Sequence, residues 1–137
     1  MYFFRTFVFP GGTWGNIEVL KKYNFLIYRR RTDFELSYPY RDNYNLLVTV
    51  SSAQLEYNQN YGWTSEYYIS RLNKYVKKAI ETHTIAHFWF HPSLDPYFLK
   101  HIFSGVLSYA SSLRREGLLW IGTMKDIALH VNRNGLL

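Results

Sequence analysis

Cysteine is absent from this chain of 137 residues, which excludes a disulfide framework and any zinc site built on thiolates, and leaves the redox compartment undetermined. Long apolar runs are missing too, and nothing approaches the ~20 residues that a membrane-spanning helix requires. The amino-terminal stretch is apolar but is interrupted by Arg5. It lacks the basic lead, longer apolar core and small-residue cleavage site of a signal peptide, so no export signal is expected and the compartment stays open. Adjacent aspartates are also missing, and the first aspartate is Asp33. No internal repeat and no low-complexity segment stands out.

What is present is aromatic. Phe, Trp and Tyr make up 20% of the chain, with 13 tyrosines and 4 tryptophans, far from the depleted composition of a disordered segment. The length suits a single domain over residues 1–137, and a folded chain of that size buries roughly two thirds of its unfolded surface. The net charge is +6, but the basic residues are scattered apart from Arg29-Arg30-Arg31, Lys21-Lys22, Lys77-Lys78 and Arg114-Arg115. Short basic pairs on amphipathic helices are solvated faces, and no nucleic-acid motif accompanies them, so no nucleic-acid partner is expected.

The organising stretch is 84–92, Thr-Ile-Ala-His-Phe-Trp-Phe-His-Pro. Its β-branched and aromatic residues, stopped by a proline that cannot donate to a ladder, predict a buried strand ending at His91. Period-two geometry then places His87, Trp89 and His91 on one face, with Ala86, Phe88 and Phe90 on the other. A histidine at a strand's carboxyl end sits where ligands bind in parallel sheets; the competing reading is a core histidine bonded to a carbonyl.

Around that strand the pattern alternates. Residues 3–9 predict a strand broken by Pro10-Gly11-Gly12, and 16–23 predict a short helix with Asn16 in capping position. Strands are predicted over 25–28, 46–51 and 118–122, with polar stretches at 29–45 and 52–64. Helices are predicted over 65–82 with Ser65 as cap, over 97–116 closed by Gly117, and from about 124 to 132 with Thr123 as cap. Strands alternating with helices imply mostly parallel strands and an α/β fold.

Two pairs of stretches carry a family resemblance. Phe-Val-Phe-Pro-Gly-Gly at 7–12 precedes Ile-Glu-Val-Leu-Lys-Lys-Tyr-Asn-Phe-Leu-Ile-Tyr-Arg at 17–29. His-Phe-Trp-Phe-His-Pro at 87–92 precedes Leu-Arg-Arg-Glu-Gly-Leu-Leu-Trp-Ile-Gly-Thr-Met-Lys-Asp-Ile-Ala at 113–128. In order and spacing they resemble the second half of polysaccharide deacetylases, the carbohydrate esterases that include chitooligosaccharide deacetylases. The resemblance implies a partial (β/α) barrel and metal-dependent hydrolysis of N-acetyl groups on amino sugars, with zinc in the complete family. It would place the proline motif on Pro10, an oxyanion-binding backbone N–H on Gly11 and the acid that protonates the leaving amine on His91. Trp89, Trp14 and Trp63 are then the candidate substrate-binding rings. An imidazole titrating near neutrality can supply such a proton, and donors aimed at a developing oxyanion stabilise it.

The departures are as informative. The family's Asp-Asp motif has no counterpart, and its paired histidines belong to the part preceding residue 3. His83, His87 and His91 recur every four residues, but along a strand that spans about 13 Å, too far for one ion. His101 and His130 are expected on helix surfaces. The arginine that family members carry beside the proline is replaced by Val8 or Gly11, depending on the subfamily pattern, and Trp63 or Asp95 is the nearest approach to the Asp-and-Trp motif. The expectation is therefore a chain that binds no metal or cofactor alone and does not deacetylate alone. A truncated reading frame, one half of a split enzyme and a degenerate carbohydrate binder all fit. The alternative from another class is a non-catalytic module stacking sugars on Tyr38, Tyr40, Tyr57, Tyr61 and Trp63. A bare first strand is also expected to recruit a missing amino-terminal half or a second copy.

Overall fold

A computed structural model describes residues 5–32, 35–56, 62–91, 93 and 95–136. The chain opens with β1, Thr6–Val8, which ends where Pro10 removes a ladder donor and Pro10–Gly12 forms a tight 3-10 turn. Gly11 and Gly12 both take left-handed backbone, φ 63° and 70°, which explains the glycine pair. Phe3 and Phe4, the start of the expected first strand, lie outside the described residues.

The short helix α1, Ile17–Lys22, buries Leu20. Asn16 precedes it with extended backbone, but its side chain makes no cap hydrogen bond, contrary to the sequence expectation. Asn24, at φ 58°, turns the chain out of the helix and into β2, Ile27–Arg30. Two strands were not visible in the sequence pattern: β3, Tyr40–Arg41, and β5, Ala53–Gln54, both inside stretches that read as polar loop. Between them lies β4, Leu47–Val50, buried at every position.

The long helix α2, Ser65–Thr82, follows, capped by Thr64, whose hydroxyl accepts from the Tyr67 N–H at 3.2 Å. Ser65, the expected cap, is the first helical residue instead, because only Thr64 has the extended backbone a cap needs. His83 ends the helix in left-handed conformation, φ 53°. The expected strand over 84–91 is reduced to β6, Phe88–Trp89, since Ile85 makes an isolated antiparallel bridge to Ser37. A π-helical turn, Phe98–Phe103, leads into α3, Ser104–Arg115, and a capping box between Thr123 and Asp126 starts α4, Met124–Asn134.

The expected strand over 118–122 does not form: the segment pairs with no described strand, and Leu118, Trp120 and Ile121 are exposed. Ladder bonds make a strand, and an apolar run without a partner backbone stays irregular.

One sheet has the order β1-β2-β4-β3, parallel except for β3, and β5 pairs with β6 in parallel. β4 and β5 are two parts of one run that changes partner. Ser51 N–H still bonds to Arg30 C=O at 3.0 Å, whereas Ser52 N–H bonds to His87 C=O at 2.8 Å and Leu55 N–H to Trp89 C=O at 2.8 Å. The described strands give a mixed α/β fold with parallel strands and do not close into a barrel.

Three apolar clusters hold the layers. Leu20 of α1 packs on Tyr28 and Val48 on one face of the sheet. Ile127, Ala128 and Val131 of α4 pack on Ile27 and Leu47 on the other. Tyr68, Leu72, Phe98, Ile102 and Val106 surround Leu55, with Phe88 and Phe90 against them.

Candidate functional site

Parallel strands β1, β2, β4 and β6 send their carboxyl ends the same way, and the chemistry-bearing residues of the chain gather there. Alternation along β6 commits Phe88 and Phe90 to the helical cluster. It turns Trp89 the other way, where the Arg29 and Arg31 guanidinium carbons lie 4.8 and 5.3 Å from its ring centroid. His91 meets the same indole edge-on, with centroids 5.6 Å apart, and is exposed to solvent. The Pro10–Gly12 turn closes the other side: a Cβ on Gly12 would come within 2.5 Å of the Arg31 Cδ. Gly12 thus touches Arg31, Arg31 covers Trp89, and Trp89 touches His91.

The turn is fastened by Gly12 N–H to Phe9 C=O and Thr13 N–H to Pro10 C=O, both 3.3 Å, and neither bond uses the Gly11 N–H. Behind the rim, two fully buried serines stitch three strands together. Ser51 Oγ donates to Thr32 C=O at 2.9 Å and accepts from Thr32 N–H at 3.2 Å, which pins the segment carrying Arg31. Ser52 Oγ accepts from His87 N–H at 3.0 Å, which pins the segment leading to Trp89.

The electrostatics follow from burial first and from crowded cations second. Burial pushes His87 down to about 4, the Arg29 guanidinium adds to the effect, and a hydrogen bond to the Val50 backbone opposes it. His87 is therefore neutral at pH 7, with Nδ1 3.4 Å from the Thr49 hydroxyl. Arg29, half-buried on the same face of β2 as Ile27, is itself lowered by burial and by Arg31. The indole Nε1 of Trp89 is buried and has no hydrogen-bond partner among the described residues.

Of the residues singled out in the sequence, Pro10, Gly11, Trp89 and His91 come to this edge. Trp14 is 65% exposed with the Arg30 guanidinium 5.1 Å over its ring. Trp63 packs at the start of α2, against Tyr67 and Tyr68 and under Arg71. Tyr40 packs with the α1 cluster and its hydroxyl accepts from Arg30 Nη1 at 3.3 Å, Tyr38 is exposed, and Tyr57 and Tyr61 lie outside the described residues. His101 and His130 are exposed on helices. The residues missed were Arg29, Arg31, Thr49, Ser51 and Ser52. The three consecutive arginines were a usable signal: alternation from the apolar Ile27 puts Arg29 on the inner face, whereas a solvated charge cluster would need none of them inside.

The donors among the described residues do not make a zinc site. Among the described residues no three His, Cys, Asp or Glu side chains come together, and His87, the histidine deepest in the cluster, faces a guanidinium. Compared with known proteins, the chain matches no family model, no curated protein and no solved structure.

Proposed function

We propose that the chain is a polysaccharide-deacetylase-like module, a partial (β/α) barrel of that type, whose carboxyl edge binds glycans of N-acetylated amino sugars. The observation that supports it is the contact path from Gly12 through Arg31 and Trp89 to His91, which joins a turn whose two closing bonds leave out the Gly11 N–H to an exposed imidazole. Where a complementing chain supplies the attacking water, Trp89 orients the imidazole, His91 protonates the amine as its C–N bond to the acyl carbon breaks, and Gly11 donates to the acyl oxygen as charge develops on it. Neither step runs through a metal, and hydrolysis by the chain alone is not part of the proposal.

Titration with chitotetraose, followed by tryptophan fluorescence, tests it. Saturable quenching is expected, weakened severalfold by His91→Ala and more by Trp89→Phe; no saturable change in the folded protein sinks the reading. The exposed Trp14, with Arg30 stacked on it, favours a second reading in which the protein is a non-catalytic sugar binder. In that case Trp14→Ala weakens binding and His91→Ala leaves it unchanged.

The same proposal extends to β1, whose ladder partner among the described residues is β2 alone. Its outer edge is expected to take a further strand, from a preceding half of the barrel or from a second copy. Light scattering coupled to size exclusion reads this directly, and a concentration-independent monomer would rule out the second copy.

A further inference from the structure

The Arg29 guanidinium at the carboxyl edge has a cost that no described carboxylate offsets. Arg29 extends from a strand flanked by β1 and β4, and is half-buried, yet among the described residues no carboxylate bonds to it; its guanidinium lies over the Trp89 ring. Arg31, itself exposed, brings a second guanidinium over the same ring from the adjoining segment, and its charge disfavours that of the half-buried Arg29. Burying a cation without a counter-charge is unfavourable, and a sequence that keeps one there retains it for an anion that arrives later.

A second, independent observation points to the same spot. The Trp89 Nε1 is a buried donor with no partner among the described residues, on the ring that both guanidiniums cover. A buried N–H left unpaired costs about 1–3 kcal/mol, and an oxyanion bridging Arg29 and the indole would satisfy it. A guanidinium presents donors in a planar fork that matches a carboxylate or a phosphate. The histidine beneath, His87, is held neutral and adds no competing charge.

We propose that the carboxyl edge holds an oxyanion site, formed by Arg29, Arg31 and the Trp89 indole N–H, that takes the carboxylate or phosphate of an acidic sugar unit. This rests on the glycan reading above for the sugar, while the oxyanion itself is argued from the side chains alone. It is independent of the His91 and Gly11 roles.

Three probes separate the possibilities: tri-galacturonate, glucose 6-phosphate and neutral chitotetraose, each titrated into the protein with the Trp89 indole N–H followed by NMR. The expected result is a saturable shift of that resonance with at least one acidic probe, lost progressively as salt is raised. Arg29→Gln is expected to weaken it by roughly tenfold to a hundredfold, and Arg29→Lys, which keeps the charge and loses the fork, by less. Tighter binding of galacturonate assigns the site to a carboxylate, and tighter binding of the sugar phosphate assigns it to a phosphate. If chitotetraose moves the Trp89 resonance and neither acidic probe does, the oxyanion site is wrong and the deacetylase-like reading survives. If the acidic probes bind through Arg29 and chitotetraose does not bind, the oxyanion site stands and that reading falls. Acidic probes that bind equally well to wild type and both Arg29 variants overturn the proposal, and the Lys variant keeps the comparison valid should the Gln variant fail to fold.

Discussion

Lowering the pH from 7 to 4 is expected to remove about 3 kcal/mol of stability through His87 alone, at the edge of a sheet whose total margin is about 5–15 kcal/mol. In the folded chain the imidazole is depressed to about 4 from its ordinary 6.5, chiefly by burial and then by Arg29. Above pH 6.5 both folded and unfolded chains carry it neutral, and it contributes no pH dependence. Between 6.5 and 4 the unfolded chain takes up a proton that the folded chain refuses, so stability falls as the pH falls; below about 4 both are protonated and the loss stops growing. Asp126, held below its usual 3.8 by the Thr123 hydroxyl and N–H, contributes at the low end of this window in wild type and variant alike, so the comparison with His87→Gln cancels it. Urea midpoints measured at pH 7 and 4.5 for the wild type and His87→Gln check the assignment. The variant is expected to lose most of the slope. If it keeps the full slope, or if NMR titrates the wild-type imidazole near 6.5, His87 is not the buried neutral group described.

The sequence made some of this legible and hid the rest for identifiable reasons. Helix α2 was readable almost to the residue because eighteen residues of helical periodicity average out local ambiguity, and Thr123 was readable as a cap because a capping box is a local interaction between residues three apart. His91 was read as the last residue of a strand stopped by proline, whereas β6 stops at Trp89 and leaves His91 two residues beyond its carboxyl end. What escaped was everything set by partners distant in sequence. The fragmentation of the stretch around Trp89 into one bridge and a two-residue strand depends on where Ser37 and Ala53 happen to lie. Ser51 read as the end of a strand and Ser52 as the start of a loop, because nothing local says that their hydroxyls will find Thr32, Ile85 and His87. Arg29 belongs to the same class: its importance comes from meeting Trp89, sixty positions later, and a charged triplet read in isolation is a solvated surface. The candidate site was therefore visible as a location and invisible as a charge distribution.

The largest disagreement between pattern and structure is 118–122, and it predicts a sharp contrast between two truncations. Leu47 of β4 is 0% exposed, wedged between Ile27 and the Ile127, Ala128 and Val131 face of α4, so Leu47→Ala removes buried methyl groups from a site framed by rigid backbone and is expected to cost about 3 kcal/mol. Trp120 is the bulkiest residue of the expected last strand, and as a buried strand residue it would lose about 3–5 kcal/mol on truncation. In the structure it is 57% exposed and its ring lies over Gly122 and beside His130, centroids 5.7 Å apart. The chain reaches it through Gly117, at φ 75°, and the Leu118 N–H is spent closing α3 on the Leu113 C=O at 3.0 Å. Trp120→Ala is accordingly expected to change stability by less than about 1 kcal/mol, with an unchanged denaturant slope. Paired urea melts of the two variants decide it. Equal and large losses would place 118–122 in the core, as a strand paired with backbone that the described residues do not supply, and would overturn the irregular conformation given to it here.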